Sequence, residues 1–320
     1  MNRQNETTIA CIGGIVADRK ARVTDHLQPG SSNPVRVMSC PGGVVCNIAR
    51  NLAKLGCRVE IFSAVGQDAA GDRLLEVLHR EGLNLSSVAQ SPRRATASYT
   101  AVLDERGQLF IGLADMEIFE ELDPAWADSI AASLANCGCW ILDANLSGAT
   151  IERLLRVHKG RAVAMVDPIS VAKAVRISSV LDSIDVLFPN AKEAAALSGR
   201  AVATHDDVVQ AAAELRRRGV GTVIVTLGED GIYVDDGSGG RFVSAIPAAS
   251  VRDVTGAGDA LVGGYAYAKM SGAKYEPAFW GLAAASLTVE TEESIAPQLS
   301  RDSILERIEA HAARSGAAKS

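Results

Sequence analysis

Short apolar runs, each cut off by glycine, aspartate or asparagine and followed by a stretch with helical spacing, recur along most of this chain. The runs at Thr8–Ile12, Arg58–Val65, Cys139–Leu142, Ala162–Val166, Asp185–Phe188 and Thr222–Leu227 read as buried strands. Between them, helical stripes run from Val44 to Leu55, Asp72 to Leu78, Ala149 to His158, Ala191 to Leu197 and Asp206 to Arg218. Asp123-Pro124 is a further helix start. Strand–helix alternation of this kind predicts an α/β fold with a mostly parallel central sheet and helices on its faces.

Two segments break the rhythm. Ser98–Leu103 and Gln108–Leu113, joined by Asp104-Glu105-Arg106-Gly107, predict a hairpin that is either a flap over a site, a dimer contact or surface decoration. A second hairpin is predicted from Ile232–Val234 and Arg241–Ala245. Arg19–Met38 is polar, carries two prolines and predicts short strands outside the main core. Three helices close the chain at about Ala257–Met270, Pro277–Glu290 and Ser300–Ala313. The expected organisation is one domain over 1–320, with a small β lid formed from about 15–40 and 95–116.

Composition sets outer limits. The net charge of −6 and the lack of a Lys/Arg run predict no nucleic-acid partner. No apolar run is long enough to span a bilayer, and Met1–Thr8 has no signal core, so a cytoplasmic protein is expected. The six cysteines form no CxxC pair and read as small, mostly buried hydrophobes.

The chemistry concentrates at Asp253-Val254-Thr255-Gly256-Ala257-Gly258-Asp259-Ala260. It reads as a glycine turn feeding a helix whose unpaired N–H groups and dipole attract an anion. A carboxylate there is awkward for packing but useful if the anion is a phosphoryl group in transit, since it accepts the proton of an attacking hydroxyl. The alternative is an ordinary helix start. A second glycine turn, Pro41-Gly42-Gly43, opens the helix bearing Asn47, and Asp18 follows Gly13-Gly14. Asp143, Asn145, Asp167, Asn190, Glu193, Thr226 and Gly228 follow the C-terminal ends of the predicted strands, the edge where ligands bind in a parallel sheet. Asn190 and Glu193 suit hydrated Mg²⁺ or its phosphates, or else simply cap a helix.

With these residues in order, the chain from about Thr8 to about Glu290 resembles the ribokinase-like (PfkB-type) sugar and nucleoside kinases. The resemblance rests on Gly13-Gly14 with Asp18, Pro41-Gly42-Gly43 with Asn47, Asn190-Ala191-Lys192-Glu193 and the Asp253–Asp259 stretch. It implies a three-layer α/β/α fold with a small β lid. Within the family, Ser32-Asn33-Pro34, Ser63-Ala64-Val65-Gly66, Ala114–Ile118 and Val166–Ser170 look most like the pseudouridine kinases. Val16 departs from the asparagine that sugar kinases of the family often carry two residues before the Asp18 position.

The resemblance implies ATP-dependent phosphorylation of the 5′-hydroxyl of pseudouridine. Asp259 would be the base, and Gly256, Ala257 and Gly258 the anion hole. Asp18, Gly42, Gly43 and Asn47 would hold the ribose, with Asp115 near the nucleobase and Asn145 near the phosphate channel. Asn190 and Glu193 would serve Mg²⁺ and the phosphates, Thr226 and Gly228 ATP, and Asp253 and Thr255 a monovalent cation, expected to be K⁺. A homodimer is expected. The alternatives are another ribonucleoside or sugar kinase, a Rossmann oxidoreductase, against which the lack of GxGxxG after the first strand argues, and a non-catalytic sugar- or nucleoside-binding regulator.

Overall fold

Alternate residues of the first strand belong to different cores: Ile9 and Cys11 pack on one side of the sheet, Ala10 and Ile12 on the other. A strand buried on both faces is the mark of a parallel sheet covered by two helical layers. The computed structural model describes residues 7–158 and 160–317; most of the polar N-terminal stretch read above, residues 1–6, lies outside them.

The strands are β1 (Thr8–Ile12), β2 (Val16–Val23), β3 (Val35–Gly42), β4 (Val59–Gly66), β5 (Val88–Ser91), β6 (Ser98–Leu103), β7 (Leu109–Asp115), β8 (Cys137–Asp143), β9 (Val163–Asp167), β10 (Val186–Leu187), β11 (Thr222–Thr226), β12 (Ile232–Asp235) and β13 (Arg241–Val243). The helices are α1 (Val44–Lys54), α2 (Ala69–Arg80), α3 (Pro124–Ser129), α4 (Ala131–Leu134), α5 (Gly148–His158), α6 (Val171–Ala174), α7 (Ala191–Ser198), α8 (His205–Arg217), α9 (Ala257–Ser271), α10 (Pro277–Thr288) and α11 (Arg301–Ala317).

The large sheet has the order β13-β12-β11-β10-β9-β8-β1-β4-β5. It is parallel from β5 to β11 and antiparallel only at β12 and β13. Leu52 of α1, Tyr265 of α9, Ala283 of α10 and Ile304 of α11 fill one face, and Leu154 of α5, Ala194 of α7 and Leu215 of α8 the other. The expected three-layer α/β/α architecture is present.

Local chemistry explains the boundaries. Asp123 accepts from the Trp126 N–H and Pro124 occupies the first helical position, so α3 starts where the Asp-Pro pair predicted. Gly199, at φ 73°, takes the left-handed turn that ends α7.

A second sheet, β3-β2-β6-β7, stands apart from the first. Asp18 pairs with Cys40 and Val16 with Gly42 across the antiparallel β2–β3 ladder, while β2 and β6 run parallel. The ladder is eight residues long, not the short strands expected. Its strands lack a hydrophobic rhythm because most of β3 and all of β7 are exposed. Cys40 is exposed on β3, unlike Cys11, Cys46, Cys137 and Cys139, which are buried as expected. β5 has only Val88 as a bulky apolar residue and gave no signal, yet it pairs parallel with β4.

The packing of α1 against the sheet holds the site residues that follow, and fully buried Ile48 is central to it. Ile48→Ala is expected to cost about 2–5 kcal/mol in urea unfolding through lost burial and the cavity left behind; a loss under about 0.5 kcal/mol would contradict this packing.

Candidate active site

The site grows from the turns that leave β1, β8 and β9 and from the starts of α1 and α9. Gly43 precedes α1 at φ 95°, a left-handed conformation that favours glycine, and a Cβ there would run into the Gly14 carbonyl. No side chain of its own segment caps α1. The cap comes from β8: Asp143, fully buried, accepts from the Val45 N–H at 3.2 Å. The same carboxylate accepts from the Gly14 N–H at 3.1 Å, the Asn145 N–H at 2.9 Å and the Asn145 side-chain amide at 3.1 Å. Burial raises the Asp143 pKa, and these four hydrogen bonds only partly offset it. Sequence reading placed Asp143 at a strand end but gave it no role; its position one strand from β1 was the available signal.

α1 aims Asn47 at α9. Its Nδ2 donates to Asp259 Oδ2 at 2.8 Å, while its own Oδ1 is buried without a partner among the described residues. Asp259 occupies the third helical position of α9, whose N-cap Gly256 has φ 81° and lies against the Ser294 carbonyl, so an added Cβ would collide there. Ala260 N–H reaches the Gly256 carbonyl at 2.9 Å and Ala257 N–H the Val254 carbonyl at 3.3 Å. The N–H groups of Gly256, Gly258 and Asp259 have no partner among the described residues. They form the donor-rich end of a helix, suited to an anion.

Asp259 is only half-buried as a residue, but its carboxyl group is enclosed by protein, and burial pushes its pKa up to about 7. The Asn47 hydrogen bond pulls it down, and the carboxylates of Asp143 and Asp18 push it further up. A carboxylate that takes a proton near neutral pH suits a general base.

Asp18 lies against Gly42, where any side chain at Gly42 would strike its carboxylate. Burial raises its pKa to about 6, and Lys20 opposes the rise. The structure therefore brings Asp18, Gly42, Gly43, Asn47 and Asp259 together. Asp115, exposed at the end of β7, pairs with Ser98 of β6, itself the partner of Ala17 beside Asp18, and its Oδ1 accepts from the Glu117 N–H at 3.4 Å.

On the next strands, Asp143 and Asp167 are register partners across β8 and β9. Burial raises the Asp167 pKa well above the carboxylate range, followed by the nearby charge of Asp259, with Glu193 and Asp143 adding to it; only the Ile169 N–H, at 2.7 Å, pulls it down. Ile169 has φ 65°, a strained conformation for a β-branched residue, within the turn that joins Asp167 to α6. α6, capped by Ser170, delivers Lys173, whose Nζ donates to Asn145 Oδ1 at 2.6 Å. Burial lowers the Lys173 pKa, and Arg176 adds to this. An ammonium with three donors and one neutral acceptor is ready for an anion. Sequence reading missed Lys173; its signal was a lysine three residues after a capping serine at a strand end.

Asn190 and Glu193 form a reciprocal capping box. Asn190 Oδ1 accepts from the Glu193 N–H at 3.0 Å, and Glu193 Oε2 accepts from the Asn190 N–H at 2.9 Å. The structural alternative weighed in the sequence is thus present, and it leaves Glu193 Oε1 for another ligand. Asn190 bridges to Thr226, and both line a groove of about 480 Å³ with Lys192, Thr204, His205 and Asp230. Gly228 begins the 3₁₀ turn beside it.

Residues 6–301 match the family profile described as pfkB family carbohydrate kinase. The pseudouridine kinase of Escherichia coli K12 is 30% identical over 302 residues, covering 94% of this chain and 96% of that protein. A carbohydrate kinase from Agrobacterium tumefaciens superposes with a TM-score of 0.84 at 31% identity, covering 95% of this chain and 97% of that one. Arabidopsis thaliana ribokinase complexed with ribose and ATP superposes with a TM-score of 0.81 at 25% identity, covering 95% and 99%.

The raised Asp259 pKa carries a prediction in two parts. If its deprotonated form is the active one, kcat/KM rises about tenfold per pH unit below about 7 and is flat above. Because the folded-state pKa is raised, the stability tied to this group is full in acid and is lost as pH climbs from about 4 to about 7. Asp259→Asn should therefore melt a few degrees above the wild type at pH 8, about 2–4 °C per kcal/mol recovered, and the gap should close toward pH 4. A gap independent of pH would contradict the assignment.

Proposed function

We propose that this chain, which belongs to the pfkB family of carbohydrate kinases, transfers the γ-phosphoryl group of ATP to the primary 5′-hydroxyl of a ribosyl acceptor, with pseudouridine the favoured one. The observation that carries the reading is Asp259. It is an enclosed carboxyl with a near-neutral pKa, set among the open N–H groups at the start of α9 and touching an asparagine whose amide oxygen has no partner among the described residues.

Asp259 takes the hydroxyl proton as the acceptor oxygen bonds to the γ-phosphorus, the bond to the β–γ bridging oxygen breaks, and ADP leaves. Charge spreads over the equatorial oxygens, which the open N–H groups of Gly256 and Gly258 meet from one side, while the Ala257 N–H of the expected anion hole is held by the Val254 carbonyl. The Lys173 ammonium is a second positive group on the same sheet edge. Asp18 and Asn47 Oδ1 between them accept the two hydrogen bonds that the ribose diol can donate. The backbone of Gly42 and Gly43 lies against the sugar, and Asp115 reaches the nucleobase only if the small sheet closes. Thr226, Gly228 and the groove beside Asn190 take the nucleotide.

Mg²⁺ fits this donor set. The charges of Asp259, Glu193 and Asp143 all raise the Asp167 pKa, a sign of negative charge lacking compensation. No cluster of three or more His, Cys, Asp or Glu among the described residues makes an all-protein cage, which suits a hydrated ion shared with phosphates. Glu193 Oε1 and Asn190 would hold such an ion through water, and when bound it would supply positive charge to the phosphates.

Pseudouridine is favoured on the E. coli relative together with the sequence runs. The neighbour complexed with ribose and ATP favours a simple sugar as the second reading. Retention of Asp259 argues against a non-catalytic regulator. The small sheet acts as a lid. Its exposed Val37, Met38, Phe110, Ile111 and Leu113 offer an apolar surface to a second copy, the basis for proposing a homodimer. No helix among the described residues is long and apolar enough to cross a membrane.

The test is ATP consumption with pseudouridine, uridine, ribose and adenosine side by side. Pseudouridine should give the highest kcat/KM, and Asp259→Asn should lower its kcat by about 10²–10⁴ with little change in acceptor affinity. Preference for ribose or uridine refutes the acceptor; wild-type turnover in Asp259→Asn refutes the base.

A further inference from the structure

Lys20 lies on β2, two residues beyond Asp18, and its Nζ is 2.6 Å from Asp253 Oδ2. The other oxygen, Asp253 Oδ1, accepts from the Thr255 N–H at 2.9 Å and the Thr255 hydroxyl at 2.7 Å. Both oxygens are therefore engaged. Burial raises the Asp253 pKa, but the hydrogen bonds from Lys20 and Thr255 outweigh it and hold the carboxyl below its ordinary value.

The resemblance assigned Asp253 and Thr255 to a monovalent cation. The geometry does not suit that role. A cation on Asp253 would sit beside an ammonium on the same carboxylate, and the Thr255 hydroxyl proton is already turned toward Oδ1. The pair also spans two parts of the site. Lys20 belongs to the strand carrying Asp18, and Asp253 through Thr255 shapes the turn into Gly256, the N-cap of α9. The lysine and aspartate side chains are 30% and 27% exposed, so the bridge is partly screened and matters as a link more than as a source of stability.

We propose that the Lys20 ammonium is the built-in counter-charge that orders the Asp253–Gly258 loop, so that phosphoryl transfer at this site does not depend on K⁺. This rests on the kinase reading. Lys20 is a positioning residue: it acts through Asp253 and Thr255 on the N–H groups of the loop. Its long stem reaches from the strand to the loop, and its head is a compact charge like that of a small monovalent ion.

Hydrogen exchange of residues 253–260 in the full chain, with no substrate present, tests this without using activity. In K⁺ and in tetramethylammonium at equal ionic strength, wild-type exchange should agree within about twofold. Lys20→Met should exchange about tenfold faster in tetramethylammonium and recover part of its protection in K⁺, with an unchanged melting temperature elsewhere accounting for the fold. Turnover should follow: flat for the wild type, and raised by K⁺ for Lys20→Met through kcat more than acceptor KM. K⁺ protection of the wild-type loop, K⁺ activation of the wild type by about tenfold or more, or a Lys20→Met loop that no monovalent ion protects would each overturn the proposal. A wild type inactive on every acceptor but with the predicted exchange pattern would overturn the kinase reading alone.

Discussion

Four N–H groups converge on the carboxylate of Asp143, and the site depends on that convergence. They come from the turn after β1, the first turn of α1 and the turn after β8. A fully buried carboxylate without such donors would be strongly unfavourable, so the position is occupied only when all three segments are in place. The consequence reaches further. α1 set by Asp143 aims Asn47, Asn47 touches Asp259, and Asn145, held by the same carboxylate, holds Lys173. Hydrogen bonds joined through the first turn of α1 thus connect the α9 N-terminus to the α6 cation. They span the place where the proposed acceptor oxygen and phosphoryl group would meet.

Electrostatic tension is the second organising feature. Asp18, Asp143, Asp167, Glu193 and Asp259 all have raised pKa values, with burial the first cause in each. Helix termini, Lys20 and Lys173 supply the opposing charge. A surface meant only for stability would not gather enclosed carboxylates at one sheet edge, and the strained Ile169 lies in the same region. The arrangement suits a ligand that brings its own cation and several anionic oxygens.

Much of this was legible in the sequence because it depends on local chemistry. The three layers follow from apolar runs separated by helical stripes, and the starts of α3, α7 and α9 from Asp-Pro, Asn-x-x-Glu and Gly-Ala-Gly-Asp. Asp259, Asn47, Asp18 and the glycine pair were named from their turns, and the structure brings them together. What escaped depended on distance across the fold. Asp143 caps α1 over a separation of 98 residues, and Lys20 reaches Asp253 over 233, pairings that no local pattern encodes. The small sheet was underestimated because its outer strands have no buried face to impose a rhythm. Asn190 and Glu193 show the converse: the capping box was legible, and a metal role needs more than spacing.

The central claim is that Asp259 takes the proton from a primary ribosyl hydroxyl during phosphoryl transfer. The position of the new phosphate bond tests it most directly. Phosphorus–proton coupled NMR of the purified product should show the phosphorus coupled to the two 5′ methylene protons. Phosphorus coupled to a secondary ribose carbon's single proton, or release of inorganic phosphate without any phosphorylated acceptor, would contradict the account.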